Sequence, residues 1–504
     1  MEWDTERRTS EVFRIAAFGQ IFIWTTNWID TKFNFYACIH VTTATYKGKH
    51  PMNIRTFSVK KITLLILIIC IILSAAPISV EAALLSDARY LTLSPGADDT
   101  QINFSWHSQS RAENDAPCVR VWKNEGIQAV FTGIGSNSKS TVSNMYYNRV
   151  TATGLDPDAA YSYQIGDGNG NWSVEYSFKT GNPDSFSYLV FGDPQVYSRN
   201  TGNNWKNTLE LAVGLYPNLS FMASTGDNVD ANTKTQYDSF FTPQELFSAL
   251  PLAICMGNHE GSGSTPFAFY NPPNADSLQS YWYRYGAVLF MVWNSNSGRA
   301  GNLDEFLEKA TQANGDATWR ILNFHHVLYG QGVYTLSDGV GLRAKYAPVI
   351  EKYDIDVVFN GHDHSYSRSN PVNGTVYFTL NSASGSKYYA LSPLQSYTAV
   401  MDQSRRPNFS VAEVSGDSFK CTTYKVNADN TLTEIDTTTI TKPTATPSVD
   451  HDEKDTEPAG LDTNLRARRC LFLYRAYMMR YGNFPYKTII PQIQGQFPYY
   501  GGNS

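Results

Sequence analysis

Five short polar runs, each placed directly after an apolar segment, constrain the fold of this chain more than any other feature. They read GDPQ at 192–195, GDNVD at 226–230, GNHE at 257–260, FHH at 324–326 and GHDH at 361–364. The apolar segments predict β-strands at 188–191, 219–224, 252–256, 320–324 and 355–359. Helical apolar spacing predicts helices at about 205–215, 302–313 and 342–353, and such alternation is typical of an α/β fold. Because open α/β sheets place their sites beyond the carboxyl ends of the strands, we expect the runs to meet at one edge.

The region before these runs has a different hydrophobic pattern, which predicts a separate all-β domain. Between residues 88 and 181, apolar and polar residues alternate in short stretches interrupted by Gly, Asn, Asp and Pro. This pattern favours a sandwich of about seven strands. The α/β domain then extends over 184–442. Thr, Pro, Asp and Glu dominate 443–466, which we interpret as a linker, and the sequence assigns no role to the tail at 467–504.

An apolar stretch at 62–76, ITLLILIICIILSAA, predicts a targeting segment near the N-terminus. Lys60 and Lys61 precede it, and the residues VEA at 80–82 fit a signal-peptidase site, so we interpret 52–82 as a signal peptide. Residues 1–51 are then an extension introduced by the gene model, or a disordered segment. The alternative is an uncleaved membrane anchor at 62–76. Both interpretations predict a secreted or cell-envelope protein in an extracytoplasmic location.

Composition argues against nucleic-acid binding and against a structure held together by cysteines. The formal net charge is −6 and the pI is about 5.9, so no large basic surface for nucleic acid is expected. The six Cys residues form no C-x-x-C pair, which argues against a disulfide framework and against a cysteine zinc site. The sequence leaves the oligomeric state open.

The polar runs supply the side chains that a site for two metal ions requires. Two ions about 3.5–4 Å apart can neutralise a phosphate ester, activate a water and steady the leaving oxygen. Such a pair needs a bridging carboxylate together with further oxygen and imidazole ligands. The candidates are Asp193, Asp227, Asp230, Asn258, His259, His325, His326, His362 and His364. The sequence therefore predicts a dinuclear site and the hydrolysis of a phosphate ester.

In this order and spacing, the five runs resemble the signature blocks of calcineurin-like metallophosphoesterases. The segment GLDPDAAYSYQIGD at 154–167 resembles a corner of fibronectin type III domains, which narrows the resemblance to purple acid phosphatases and their bacterial relatives. The resemblance covers about 88–442. It implies a fibronectin-like sandwich followed by a metallophosphoesterase domain, in which two packed mixed β-sheets are flanked by helices.

The resemblance also implies a role for each side chain at a matching position. The implied ligands are Asp193 and His364 on the first metal, Asn258, His325 and His362 on the second, and Asp227 between the two. His259 would face the phosphate and stabilise the developing charge or protonate the leaving alcohol, while a metal-held hydroxide attacks in line. His325 fits the family pattern better than His326 because it precedes Tyr329 by four residues.

Asp230 departs from the purple enzymes, which carry a Tyr three residues after the bridging Asp. In those enzymes a phenolate on ferric iron gives the colour, whereas a carboxylate gives no such absorption band. We therefore predict a colourless protein with Asp230 as a ligand, and two divalent or trivalent metal ions that are Fe, Zn or Mn. The alternative for Asp230 is an N-terminal cap of the next helix.

The predicted reaction is the hydrolysis of phosphate monoesters of small molecules. Phosphodiester cleavage at the same centre is the first alternative, and an inactive, metal-containing surface binding module is an alternative of another class. The loops at 195–205, 261–282 and 330–341 contain no cluster of Lys or Arg, which argues against highly charged substrates. Glu260 is expected to orient His259 or to be solvated, and Arg368 is expected to form an ion pair.

Overall fold

The computed structural model describes residues 12–17, 20–25, 88–123, 129–261, 266–297 and 300–442. The chain divides into two compact units, residues 1–80 and residues 81–504. In the first unit, β1 (Val12–Ala17) pairs antiparallel with β2 (Gln20–Thr25). The predicted signal peptide at 52–82, the linker at 443–466 and the tail at 467–504 lie outside the described residues. Within the described part of the chain, no helix has the length and apolar character to cross a membrane.

The second unit begins with a β-sandwich, for which eight strands are described. They are β3 (Arg89–Pro95), β4 (Ile102–Ser108), β5 (Cys118–Lys123), β6 (Ala129–Ile134), β7 (Ser136–Lys139), β8 (Tyr146–Ala152), β9 (Ala160–Gly166) and β10 (Tyr176–Lys179). They form two four-stranded sheets, in the orders β3-β4-β8-β7 and β10-β9-β5-β6. Trp106 and Tyr163 are buried in the apolar core between these sheets. The predicted all-β sandwich is confirmed, with eight described strands where about seven were expected.

The α/β domain follows directly, and its strands and helices alternate as the sequence predicts. Its strands are β11 (Ser185–Phe191), β12 (Phe221–Ser224), β13 (Leu252–Ala253), β14 (Tyr281–Tyr285), β15 (Val288–Val292), β16 (Trp319–Asn323), β17 (Val357–Asn360), β18 (Tyr366–Ser369), β19 (Val376–Thr379), β20 (Thr398–Asp402), β21 (Asn408–Ser415), β22 (Ser418–Val426) and β23 (Leu432–Thr441). Its helices are α1 (Arg199–Leu215), α2 (Lys234–Phe240), α3 (Gln244–Phe247), α4 (Ala300–Ala313) and α5 (Asp338–Lys352).

Two mixed sheets form the centre of this domain and pack face to face through aromatic side chains. The six-stranded sheet has the order β13-β12-β11-β21-β22-β23, and the seven-stranded sheet has the order β14-β15-β16-β17-β19-β18-β20. In the core between them, Tyr188 stacks on Phe221 with ring centroids 4.8 Å apart, and Phe290 meets Tyr188 edge-on at 5.2 Å. The predicted fold class, two packed mixed sheets flanked by helices, is confirmed.

Helix α1 ties the first polar run to the helical layer. The helix begins at Arg199, earlier than the predicted start near Trp205. Ser198 caps it, because its hydroxyl accepts a hydrogen bond from the backbone N–H of Thr201, whose own hydroxyl accepts the Ser198 N–H. Trp205 then packs on Phe191 at the end of β11, with ring centroids 4.6 Å apart. The helix therefore supports the strand that leads into GDPQ.

The sandwich and the α/β domain meet in a buried interface of rings and hydrogen bonds. Tyr90 on β3 belongs to the main core cluster of the α/β domain and lies edge-on to Phe269, with centroids 5.2 Å apart. His107 on β4 stacks on the same Phe269 ring at 4.6 Å. Its Nε2 lies 2.8 Å from the carbonyl oxygen of Ala268. Tyr90 therefore extends the core of the α/β domain across its boundary with the sandwich, whose own core is a separate cluster.

Candidate metal centre

The five polar runs meet at the carboxyl edge of the two central sheets. Asp193 follows β11 and Asp227 follows β12 in the six-stranded sheet, while Asn258 lies beyond β13. His325 follows β16 and His362 follows β17 in the seven-stranded sheet. Since each sheet supplies part of the set, the packing of the two sheets assembles the site.

The backbone turns sharply at the residues that carry the polar side chains. The backbone φ is positive at four of these residues: 43° at Asp193, 49° at Asp227, 71° at His362 and 43° at His364. This left-handed region is rarely adopted by residues other than Gly, Asn and Asp. Gly257 is required for a related reason, since a Cβ there would lie 2.0 Å from Oδ1 of Asp227. These turns aim the side chains into one space, and such strain concentrates at functional sites.

Two groups of side chains share Asp227. Ligand atoms of Asp193, Asp227 and His364 lie within 4.8 Å of one another, and so do those of Asp227, His325 and His362. His325 Nε2 is 3.2 Å from Asp227 Oδ2 and 3.1 Å from His362 Nδ1. His364 Nε2 is 3.6 Å from Asp193 Oδ1. This division matches the one that the resemblance implies, with Asp227 between two metal positions.

Asn258 and His326 lie beside the second group in different ways. Asn258 Oδ1 is 2.9 Å from His325 Nε2, so its amide oxygen points toward the site. His326 Nδ1 is 2.7 Å from the hydroxyl of Ser295, and His326 belongs to neither group. The geometry therefore favours His325 over His326 as a ligand, and metal ligation by each residue stays a prediction.

The charges in this site depend strongly on one another. Burial raises the pKa of Asp193 well above its usual range, and the positive charge of His325 offsets this only in part. Burial acts in the same direction on Asp227, but the charge and hydrogen bond of His325 lower its pKa overall. Burial would lower the pKa of His325, yet Asp227 raises it to about 9. Burial and the charge of His325 lower the pKa of His362 to about 2, so His362 is a neutral imidazole with a free lone pair.

The donor set fits a pair of transition-metal ions. Among the described residues, the buried His362 Nε2 has no hydrogen-bond partner, which is costly unless an electrophile occupies the space beside it. His325 Nδ1 lies 3.0 Å from the carbonyl oxygen of Thr225, and His364 Nδ1 lies 3.2 Å from that of Lys387. These contacts direct the other ring nitrogen of each His into the site, as in known metal centres. Carboxylate, imidazole and amide oxygen donors suit Fe, Zn or Mn.

Asp230 lies at the rim and joins neither group. Its Oδ1 accepts a hydrogen bond from Gln195 Nε2 at 3.0 Å and lies 3.4 Å from Lys387 Nζ. His259 Nδ1 is 2.7 Å from the backbone carbonyl oxygen of Asp230, and its Nε2 lies 2.8 Å from Gln195 Nε2. The His259 side chain is 29% exposed and its Nε2 is 3.8 Å from Asp227 Oδ2, so it faces both solvent and the metal positions.

Glu260 holds two of the polar runs together. It is buried, and its carboxylate accepts backbone N–H groups from Asp227, Asn228, Val229 and Gly257 at 3.1, 2.6, 3.0 and 2.7 Å. Burial and the charge of Asp227 raise the pKa of Glu260 to about 7. The expectation that Glu260 orients His259 or is solvated is wrong, because its oxygens are occupied by these N–H groups.

Two further acidic residues, Asp363 and Asp436, hold the last run and the strand that follows it. Asp363 accepts the backbone N–H groups of Gly332 and Tyr334 at 2.7 and 2.9 Å, which attaches the 330–335 loop to GHDH. Arg368 pairs with Asp436, with Nε 2.7 Å from Oδ2, so the expected structural ion pair is confirmed.

Gln195 and Lys387 were not predicted as site residues. Gln195 closes the first run, whereas Lys387 lies in a segment whose sequence carries no signal of its position.

Comparison with known proteins agrees with this architecture. Residues 89–180 match the family model of the purple acid phosphatase N-terminal domain, and residues 186–366 match that of the calcineurin-like phosphoesterases. The chain thus combines a calcineurin-like phosphoesterase domain with an N-terminal β-sandwich of the purple acid phosphatase type. Within that class, the chain is similar to purple acid phosphatases in both of these regions.

Individual relatives are distant. Fe(3+)-Zn(2+) purple acid phosphatase 12 of Arabidopsis thaliana is 29% identical over 265 residues, which cover 47% of this chain and 55% of the relative. Probable inactive purple acid phosphatase 24 of the same plant is 24% identical over 342 residues, covering 56% and 55%. The solved structure of a purple acid phosphatase isolated from yellow lupin (Lupinus luteus) seeds has a TM-score of 0.59 at 20% identity, covering 70% of this chain and 74% of the lupin chain. The chain spans about half the length of the curated relatives it matches.

Proposed function

We propose that the protein is a metal-dependent phosphatase that hydrolyses phosphate monoesters of small molecules. The observation that carries this proposal is the pair of ligand groups that share Asp227. One carboxylate common to two groups keeps two ions close enough to act on the same phosphoryl group. The similarity to purple acid phosphatases supports the same reaction class.

The bound ions would supply Lewis acidity, which neutralises phosphoryl oxygens and lowers the pKa of water. The protein residues then position the reactants for in-line displacement. His259 lies at the open side of the site, with its Nδ1 held by the Asp230 carbonyl. Once protonated and released from the Gln195 amide, which lies 2.8 Å from it, its Nε2 would donate to the leaving alcohol oxygen. This assignment makes His259 the general acid.

The metals are proposed to be Fe, Zn or Mn, since the donor set combines carboxylates with imidazoles. One similar protein is named an Fe(3+)-Zn(2+) enzyme, which supports iron and zinc in particular. Asp230 stands at the position where the purple enzymes that this chain resembles carry a ligating Tyr, so we propose a colourless metal centre. We also propose an extracytoplasmic location, on the basis of the signal-like sequence at 52–82.

Metal analysis combined with two aryl substrates tests this function. The full chain is loaded with Fe, Zn or Mn and assayed on an aryl phosphate monoester and on the corresponding bis-aryl diester. We expect two ions per chain and faster turnover of the monoester. Turnover of the diester alone would establish a phosphodiesterase. Stoichiometric metal without turnover of either ester would establish a binding module, a result that the name of one inactive relative makes worth testing.

A further inference from the structure

The positively charged side chain of Lys387 lies at the rim of the candidate metal centre, on a segment that hydrogen bonds to the site residues hold in place. This segment, residues 382–389, connects β19 to β20. The Ser382 hydroxyl donates to the carbonyl oxygen of Asp193 at 2.8 Å, and the Ser384 hydroxyl donates to that of Pro194. Near the other end, the Lys387 carbonyl oxygen faces His364 Nδ1 at 3.2 Å. The backbone of Lys387 therefore has a defined position relative to both metal positions.

The side chain of Lys387 is only loosely engaged. Its Nζ lies 3.4 Å from Asp230 Oδ1, a long contact, and the side chain is 39% exposed. Among the described residues, Asp230 is the carboxylate within ion-pair distance of this ammonium group. An ammonium group has three N–H donors, so Lys387 has donors left for a ligand that enters from solvent.

Asp230 is better placed to hold other residues than to bind a metal. One oxygen, Oδ1, lies 3.0 Å from Gln195 Nε2, 3.4 Å from Lys387 Nζ and 3.5 Å from His259 Nδ1. An oxygen surrounded by three nitrogen groups has little room for an ion. Its side chain is 34% exposed, at the rim.

We propose that Lys387 is a substrate-binding residue that contacts the phosphoryl oxygens, and that Asp230 is a positioning residue that holds Lys387 at the rim. This inference rests on the proposed phosphatase function. A phosphate monoester dianion carries more negative charge than the Asp230 carboxylate and offers several acceptor oxygens. The flexible side chain of Lys387 can therefore move its ammonium group from Asp230 to the bound phosphoryl group. Lys387 would then favour monoesters over diesters, because it adds attraction for the second negative charge.

The experiment compares Lys387→Met and Lys387→Arg with wild type in the metal-loaded full chain. We measure KM and kcat for an aryl phosphate, the inhibition constant of inorganic phosphate and the metal content. Loss of a charge-assisted contact predicts a rise of about tenfold to a hundredfold in KM and in the phosphate inhibition constant for Lys387→Met. We expect two ions per chain in every variant, and partial rescue by Lys387→Arg.

Lys420→Met is the matched control, because Lys420 also pairs with one carboxylate, Glu413, at 3.0 Å on the far end of the six-stranded sheet. Asp230→Asn completes the set and should keep two ions per chain while raising KM. Unchanged KM and phosphate inhibition in Lys387→Met, or loss of one ion in Asp230→Asn, would overturn the inference. If wild type shows no turnover, the phosphatase proposal fails, and calorimetric titration of inorganic phosphate into metal-loaded wild type and Lys387→Met still decides the role of Lys387.

Discussion

Replacing Glu260 by Gln should loosen the metal centre without removing a ligand. At pH 8, above its pKa of about 7, Glu260 is ionised, and it accepts backbone N–H groups of Asp227 and Gly257 on Oε2 and of Asn228 and Val229 on Oε1. A Gln side chain keeps one accepting oxygen and turns an amide N–H group toward the other pair. Two backbone donors are therefore left buried without an acceptor.

The size of the effect follows from these contacts. Hydrogen bonds to a charged group contribute about 1.5–3 kcal/mol each, so the loss of two corresponds to about 3–6 kcal/mol. Removing a buried charge offsets part of this, and we expect a net loss of about 3 kcal/mol in the free energy of unfolding. Since the same N–H groups fix the loop that carries Asp227, metal affinity should fall as well.

The assay is urea unfolding of the metal-free protein at pH 8, with metal content measured separately after loading and dialysis. Glu413→Gln is the control, because Glu413 is partly exposed and its carboxylate pairs with Lys420. Surface substitutions of this kind change stability by about 0.5 kcal/mol or less. If Glu260→Gln unfolds like Glu413→Gln and retains two ions, the reasoning about the buried carboxylate is refuted.

Four further outcomes are expected. Metal binding at pH 7 should release at least one proton per chain, because His325 has a pKa of about 9 in the metal-free site and must be neutral to ligate. Titration calorimetry in buffers of different ionisation enthalpy measures this release, and heats independent of the buffer would contradict it. Iron-loaded wild type should show no tyrosinate band in the visible spectrum, and a strong band would refute the proposal of a colourless metal centre. His259→Asn should lower kcat by about 10²–10⁴-fold at unchanged metal content, as general-acid loss does, whereas near-normal turnover would exclude it as the acid. Burial lowers the pKa of His107 from 6.5 to about 4, so neutral His107 stabilises the fold above pH 6.5. The free energy of unfolding should therefore fall by about 3 kcal/mol as the pH falls to 4. Urea unfolding at several pH values should show this loss in wild type and not in His107→Asn.

The sequence could predict the positions of the candidate ligands because each follows a strand that carries its own apolar pattern. Asp193, Asp227, His325 and His362 all lie just beyond the strands that their neighbours predict. The parallel pairing of β11 with β12 and of β16 with β17 places these side chains at the carboxyl edge of each sheet, and the packing of the two sheets brings the edges together. Local pattern and topology together were sufficient for the fold class, whereas the grouping around Asp227 was implied by the family resemblance and agrees with the two clusters in the structure.

The sequence could not predict contacts made by side chains that lack a local pattern. Glu260 stands in the expected run, but its four backbone partners include residues about 30 positions away, and its burial depends on both loops. Lys387 reaches Asp230 across 157 positions, so only the folded chain brings them together. The early start of α1 was missed because Thr201, rather than the usual Glu or Gln, completes the capping box with Ser198.

The aromatic interface around Tyr90 and Phe269 determines how this chain can be divided. Cutting before residue 184 would leave the Phe269 ring facing water and would remove the imidazole contact to the Ala268 carbonyl. A fragment of 184–442 is therefore expected to aggregate, and residues 88–442 should melt in a single transition. We therefore expect the sandwich and the α/β domain to unfold as one cooperative unit, so the two should be expressed and engineered together.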